Sequence, residues 1–421
     1  MICAPRLLHR LLLGALTVSL LGLSACRKES APSDAPTGVT LTAQEGQLTV
    51  SWTQESGFDY TIFYAPGTSV STSATDPSTR LIFNPSSPRV ITGLTNGQVY
   101  AVIMNKSRNG SPGGPATPVA TATPSIAGAS WLAGAAITGS PNLVGLAYGA
   151  GKFVAVGNVG LVYSSTYGRD FTAVSGLVWR DASAVSVTAP TALTALYFDG
   201  TSFITAGADN HIYSSTDTVT WTRRTTAALA QPITGINRYG SVYVAVGNSN
   251  TIRTSTDLIT WNTPATVPAL GSNLLSVTTL NSYIIATGAG GVVLTSTDPA
   301  NTWTQRATGL ATEDIHAVTY NATAARYVAV GKSGRVLTAT DPTATWTASV
   351  ITGTPNLFAV STGTRVFAVG QSGTTVTTTD NTGNTWATAV AAGSNNLNAV
   401  AFATGRAVAV GNAGASYASP N

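Results

Sequence analysis

The strongest constraint on this chain is a tetrapeptide, Val-Ala-Val-Gly or a close variant. It returns seven times, ending at Gly157, Gly207, Gly247, Gly288, Gly331, Gly370 and Gly411. Successive glycines lie 50, 40, 41, 43, 39 and 41 residues apart. Self-similarity at such a period means that one supersecondary unit is copied along the chain, each copy burying its apolar face against the next. One unit can be written from 315 to 350. Residues 315–320 alternate as a first strand, Arg326–Gly331 is a second and Lys332-Ser333-Gly334 a tight turn. Arg335–Ala339 is a third strand and, after a loop, 346–350 a fourth.

Four antiparallel strands in about 40 residues make one blade of a β-propeller. The same frame starts at Leu143, Leu193, Ile233, Leu274, Leu357 and Leu397. Residues 129–421 are therefore expected to form a seven-bladed β-propeller. The seventh unit stops at Asn421, before its fourth strand. Residues 130–139 (SWLAGAAITG) parallel 345–353 (TWTASVITG). They are expected to pair with 413–419 and close the ring, which removes exposed sheet edges.

The last strand of a unit usually opens with tryptophan, at Trp221, Trp261, Trp303, Trp346 and Trp386, with Phe171 in the first unit. Threonine precedes each tryptophan, and Asp217, Asp257, Asp298, Asp341 or Asp380 stands four to six residues earlier. This resembles the Asp-box loop of sialidase-type propellers, although the internal glycine occurs only at a shifted position, Gly383. The repeat also resembles bacterial propellers related to the photosystem II stability factor. The Asp-box resemblance implies carboxylates that accept local backbone N–H bonds and aromatic rings wedged between blades.

Residues 36–124 alternate short strand runs with turn signals, about seven strands without a cysteine pair, which suggests a β-sandwich. Leu48-Thr49-Val50-Ser51-Trp52, Tyr60-Thr61-Ile62-Phe63-Tyr64 and Leu94-Thr95-Asn96-Gly97-Gln98-Val99-Tyr100 resemble successive stretches of a fibronectin type III domain. The resemblance implies a core tryptophan at Trp52, a tyrosine corner at Tyr100 and a spacer role. The fold class is thus all-β, a fibronectin type III-like sandwich followed by the propeller.

Residues 1–25 read as a signal peptide. Arg6, His9 and Arg10 precede a largely apolar run over 11–23, too short to span a bilayer. Leu23-Ser24-Ala25-Cys26 resembles the bacterial lipobox, which implies cleavage before Cys26 and its lipidation. Residues 26–35 read as a flexible tether. Arg27 is not the aspartate associated with inner-membrane retention, so the expected address is the cell envelope, as an outer-membrane lipoprotein facing the periplasm or the surface. Without residues 1–25 the formal balance is 19 basic to 17 acidic groups (21 less Arg6 and Arg10). That gives no electrostatic case for nucleic acid.

The chemistry-bearing residues are sparse, with only 9% of the chain charged. Glu313 is the sole glutamate of the ring, and His211 and His316 lack metal-ligand spacing. No nucleophile elbow, P-loop or dinucleotide fingerprint occurs. The reading is therefore non-catalytic, without cofactor or metal, with His316 as a strand residue near the axis. Candidate binding residues lie on the turns and longer connections at one end of the ring. They are Asn158, Asn210, Asn248, Lys332, Gln371 and Asn412, with Glu313 and Asp314. Trp179, Arg180 and Asp181 join them from an insertion of about ten residues in the first repeat. The expected function is a lipid-anchored monomer whose propeller binds a protein or a glycan. The alternatives are a glycoside hydrolase or lyase and an envelope assembly scaffold.

Overall fold

The computed structural model describes residues 30–419 apart from 74, 127, 354, 364 and 381–384. The signal segment, Cys26 and Gly383 lie outside the described residues. The chain divides into two compact units. One comprises the described residues up to Thr40 with Ser51–Arg89 and Tyr100–Ala120; the other comprises Leu41–Val50, Val90–Val99 and everything from Thr121.

In the first unit Asp59–Pro66 and Tyr100–Ser107 pair antiparallel, with Arg80–Phe83 paired along the other edge of Asp59–Pro66. The strand at Arg80–Phe83 has no counterpart in the sequence reading. Trp52 and Tyr60 are buried with ring centroids 5.5 Å apart, and Tyr100 is buried as well. Asp34 pairs with the buried Lys106 at 2.8 Å, and Glu55 pairs with the same ammonium at 2.8 Å. Thr40–Gln44, Gln47–Ser51 and Arg89–Thr92 form a separate, three-stranded sheet.

From Leu132 onward the second unit carries seven sheets in sequence. The first strands are Leu143–Gly149, Leu193–Phe198, Ile233–Tyr239, Leu274–Leu280, Ile315–Asn321, Leu357–Thr362 and Leu397–Ala403. Each lies beside the next, and the seventh returns to the first, so the sheets form a closed ring of blades. The second strand of each blade, such as Lys152–Gly157 or Arg326–Gly331, is covered on both faces by neighbouring blades. It therefore reads as a continuous apolar run rather than an alternation.

The repeated glycine ends that strand for a steric reason. A Cβ on Gly331 would lie 1.9 Å from the Asp314 carbonyl oxygen, and one on Gly157 would lie 2.0 Å from that of Asn142. The same clash with the residue before the first strand recurs at Gly247, Gly288, Gly370 and Gly411. Their backbone is extended where the next turn begins, so close approach, rather than a left-handed φ, demands glycine.

Each interface between blades holds at least one large aromatic wedge. Trp221 lies between blades 1 and 2, Trp261 between 2 and 3, and Trp303 between 3 and 4. Trp346, Trp386, Trp131 and Phe171 follow in turn around the ring. Indole N–H groups donate to loop carbonyls just upstream, from Trp221 to Thr218 at 3.0 Å and from Trp303 to Pro299 at 3.0 Å. The aspartates brace the same loops. Asp217 Oδ1 accepts from the Val219 and Thr220 amides at 2.8 Å each and from the Ser215 hydroxyl at 2.9 Å. Asp257 repeats the pattern with Ile259, Thr260 and Ser255.

The ring is closed by Leu132–Ala133, which pairs with Ser416–Ala418 as the outer strand of blade 7. Two blades depart from the frame. Blade 3 has three strands, Ile233–Tyr239, Val242–Gly247 and Thr251–Ser255, and its fourth shrinks to a single bridge between Thr254 and Asn262. Pro264, two residues on, has no N–H with which to continue it. Blade 2 has five strands, because part of the first-repeat insertion, Val178–Arg180, runs parallel to Thr220–Arg223 along its outer edge. Among the described residues no helix is long and apolar enough to cross a membrane.

Candidate functional site

The end of the ring carrying the turns between second and third strands is built from inter-blade bonds. Asn273 Oδ1 accepts the Ser249 amide at 2.9 Å, and Asp314 Oδ1 accepts that of Gly290 at 3.1 Å. Asn356 accepts from Ser333 at 2.8 Å, Asn396 from Ser372 at 2.9 Å, and Asn142 from Ala413 at 3.0 Å. In each pair a side chain just before one blade's first strand holds the turn of the preceding blade. Sequence reasoning missed these staples. Their signal is an Asn or Asp placed directly before the Leu or Ile that opens a blade.

A second ring of bonds lies deeper. Every first strand is bulged after its opening residue, which turns the next residue toward the neighbouring blade. Where that residue is polar, it bonds across. Thr194 and Thr234 donate to the carbonyls of Ile233 and Leu274 at 2.6 and 2.7 Å, and Asn398 donates to that of Leu143 at 2.8 Å. His316 Nδ1 lies 2.6 Å from the Leu357 carbonyl. A carbonyl only accepts, so Nδ1 carries a proton and acts here as a structural donor. These strands line an axial channel of about 450 Å³ that includes His316.

The turn residues are gathered at this end, and several are engaged within it. Asn158 Oδ1 accepts the Asn142 amide at 2.8 Å, Gln371 Oε1 accepts from Asn356 Nδ2 at 2.9 Å, and Asn412 Oδ1 accepts from Asn398 Nδ2 at 2.7 Å. Asn210 adopts a left-handed φ of 61°, and its buried Oδ1 has no partner among the described residues. The backbone N–H groups of Asn248 and Lys332 close their turns onto Pro232 and Asp314, and the Lys332 and Gln371 side chains are exposed. Glu313 pairs with Arg335 at 2.8 Å, and that hydrogen bond holds its carboxyl below the ordinary range. Asp314 is a staple, as described.

Trp179, Arg180 and Asp181 are placed elsewhere, on the outer edge of blade 2. Trp179 is 7% exposed, stacked 5.8 Å from Trp221 and edge-on to Tyr213 at 5.1 Å. Its ring is therefore part of the blade 1–2 core rather than a surface anchor. Asp181 Oδ1 caps its own loop, accepting from Ser183 and Val185 at 2.9 and 3.0 Å. Arg180 remains partly accessible. Among the described residues no three His, Cys, Asp or Glu side chains gather as a metal set.

Seven bladed sheets, inter-blade wedges and a stapled inner rim together define a β-propeller. Residues 175–327 are similar to the family described as the DUF6242 beta propeller domain. No curated protein matches the chain. Among solved structures it is similar to YCF48 from Cyanidioschyzon merolae, with a TM-score of 0.55 and 17% identity, covering 69% of this chain and 98% of that one. It is also similar to a structure of YCF48 bound to D1 peptide, with a TM-score of 0.54 and 14% identity, covering 69% of this chain and 97% of that one.

Proposed function

We propose that this chain is a non-catalytic scaffold whose propeller holds a protein partner during the assembly of an envelope complex. One observation carries the reading. The chain covers nearly the whole of two YCF48 structures in fold, one of them bound to D1 peptide. The exposed turn residues, with Lys332 and Gln371 foremost, offer donors and acceptors to a peptide backbone on the stapled end of the ring. The lipobox-like segment at Leu23–Cys26 supports anchoring to the outer membrane through Cys26. The strand orders and the buried Trp52 and Tyr100 support a fibronectin type III-like spacer between anchor and ring.

The test is capture from native membranes with the full chain, followed by identification of the retained protein. One partner is expected, recovered in reduced amount with a Lys332→Ala, Gln371→Ala double variant, and a Cys26→Ala chain is expected in the soluble fraction. Cleavage of a polysaccharide that Glu313→Gln abolishes would overturn the scaffold reading in favour of a hydrolase or lyase.

A further inference from the structure

The departures of blades 2 and 3 from the frame leave a cleft between their outer parts. It has a volume of about 380 Å³, at the lower end of the ~300–1,000 Å³ of small-molecule sites. Arg180, Thr222 and Ser214 stand in one cross-strand row on the blade 2 wall, since Arg180 pairs with Thr222 and Thr222 with Ser214. Arg224, two residues beyond Thr222, lines the same cleft. Its Nε is buried and has no hydrogen-bond partner among the described residues. Neither arginine forms a salt bridge among the described residues.

Three carboxylates complete the walls, those of Asp199, Asp217 and Asp257. Each has an oxygen fixed by local amides, and Asp199 Oδ2 also accepts the Tyr243 hydroxyl at 2.7 Å. The Tyr243 hydroxyl is correspondingly pushed up to about 12, by burial first and by this bond second. The Oδ2 atoms of Asp217 and Asp257 take none of these bonds. Two guanidinium groups facing three carboxylates make a site with little net charge. Two positive against three negative groups give a phosphate or an acidic peptide no net attraction. It lines one cleft with guanidinium donors, amide-fixed carboxylate acceptors and hydroxyls, and that combination matches a ligand carrying adjacent hydroxyl groups.

We propose that this cleft binds a neutral sugar unit of a glycan, with Arg180 and Arg224 donating to its oxygens while the aspartates and the Ser214 and Thr222 hydroxyls accept from its hydroxyl groups. The site is separate from the stapled end that serves the protein partner. The experiment is calorimetric titration of the full chain with cellotetraose, maltotetraose, mannotetraose and chitotetraose, with tetragalacturonate and a tetra-aspartate peptide alongside. At least one neutral tetrasaccharide is expected to bind, and Arg224→Gln and Arg180→Gln are each expected to weaken it at least tenfold. Thr222→Val, which preserves shape, is expected to weaken it severalfold, and it keeps the test valid if an arginine variant is misfolded. No neutral sugar bound, binding only of the acidic probes, or neutral binding unchanged in all three variants overturns the proposal. Recovery of the membrane partner is read separately, and the three variants are expected to leave it intact.

Discussion

Blades 2 and 3 are neighbours with the same inner half and opposite outer halves. Both have bulged first strands, buried second strands and Asp-braced loops. Blade 2 then gains a fifth strand and a second tryptophan, while blade 3 loses its fourth strand to a single bridge. The wedges differ accordingly. Trp221 is fully buried against Trp179, whereas Trp261 is only half-buried. Ring closure fixes the inner strands, where every blade touches two neighbours. The outer strands answer only to local packing, and variation that opens a polar cleft is tolerated there.

The sharpest test of that division compares wedges. Trp303, 2% exposed between blades 3 and 4, should cost about 3–5 kcal/mol on replacement by alanine. Trp261→Ala should cost roughly half as much, because part of its ring is already in water. Chemical denaturation of both variants measures the gap, and equal losses would break the contrast between complete and incomplete blades. A smaller effect is expected at the inner rim. Gly331→Ala forces a methyl group against the Asp314 carbonyl, and overpacking of this kind costs about 1–3 kcal/mol. The loss should be matched by Gly247→Ala in blade 3, whose methyl would lie 2.0 Å from the Pro232 carbonyl. A harmless change in blade 3 alone would show that its irregularity reaches the axis.

Much of this architecture was legible because it repeats. The seven glycines, the tryptophan wedges and the aspartate loops each occur in several units, so periodicity separates them from chance. The closing strand was legible from the likeness of 130–139 to 345–353, although only Leu132–Ala133 forms the strand. Features that break the repeat were not legible. Trp179 in an irregular insertion looks like an exposed anchor until its parallel pairing with Thr220–Arg223 places it in the core, and that pairing spans about forty residues. The staples at Asn142, Asn273, Asn356 and Asn396 were hidden for a different reason. A polar residue before a strand fits ordinary turn chemistry, and nothing local shows that its acceptor reaches the next blade. Arg224 was missed because an arginine just past the end of a strand is unremarkable until its Nε is found buried without a partner among the described residues.

The smallest effect concerns what the two blades share. Burial works against ionised Asp217, but the Thr220 and Val219 amides and the Ser215 hydroxyl outweigh it and hold the carboxyl below its ordinary range. Asp257 is held low chiefly by the Thr260 amide, with Ile259 and Ser255 adding to it. A carboxyl with a depressed folded pKa stabilises fully above the unfolded value of about 3.9, and that stabilisation is lost as the pH falls through the folded value. The melting temperature should therefore be insensitive to these groups at neutral pH and decline in acid below about pH 4. Asp217→Ala should cost no more than about 1 kcal/mol at pH 7, since the loop is solvent-screened, and should flatten part of the acid decline. Asp257→Ala should do the same. Parallel acid profiles would locate the divergence of blades 2 and 3 in their outer strands alone, whereas an acid response confined to Asp217→Ala would extend it to the loops that carry the wedges.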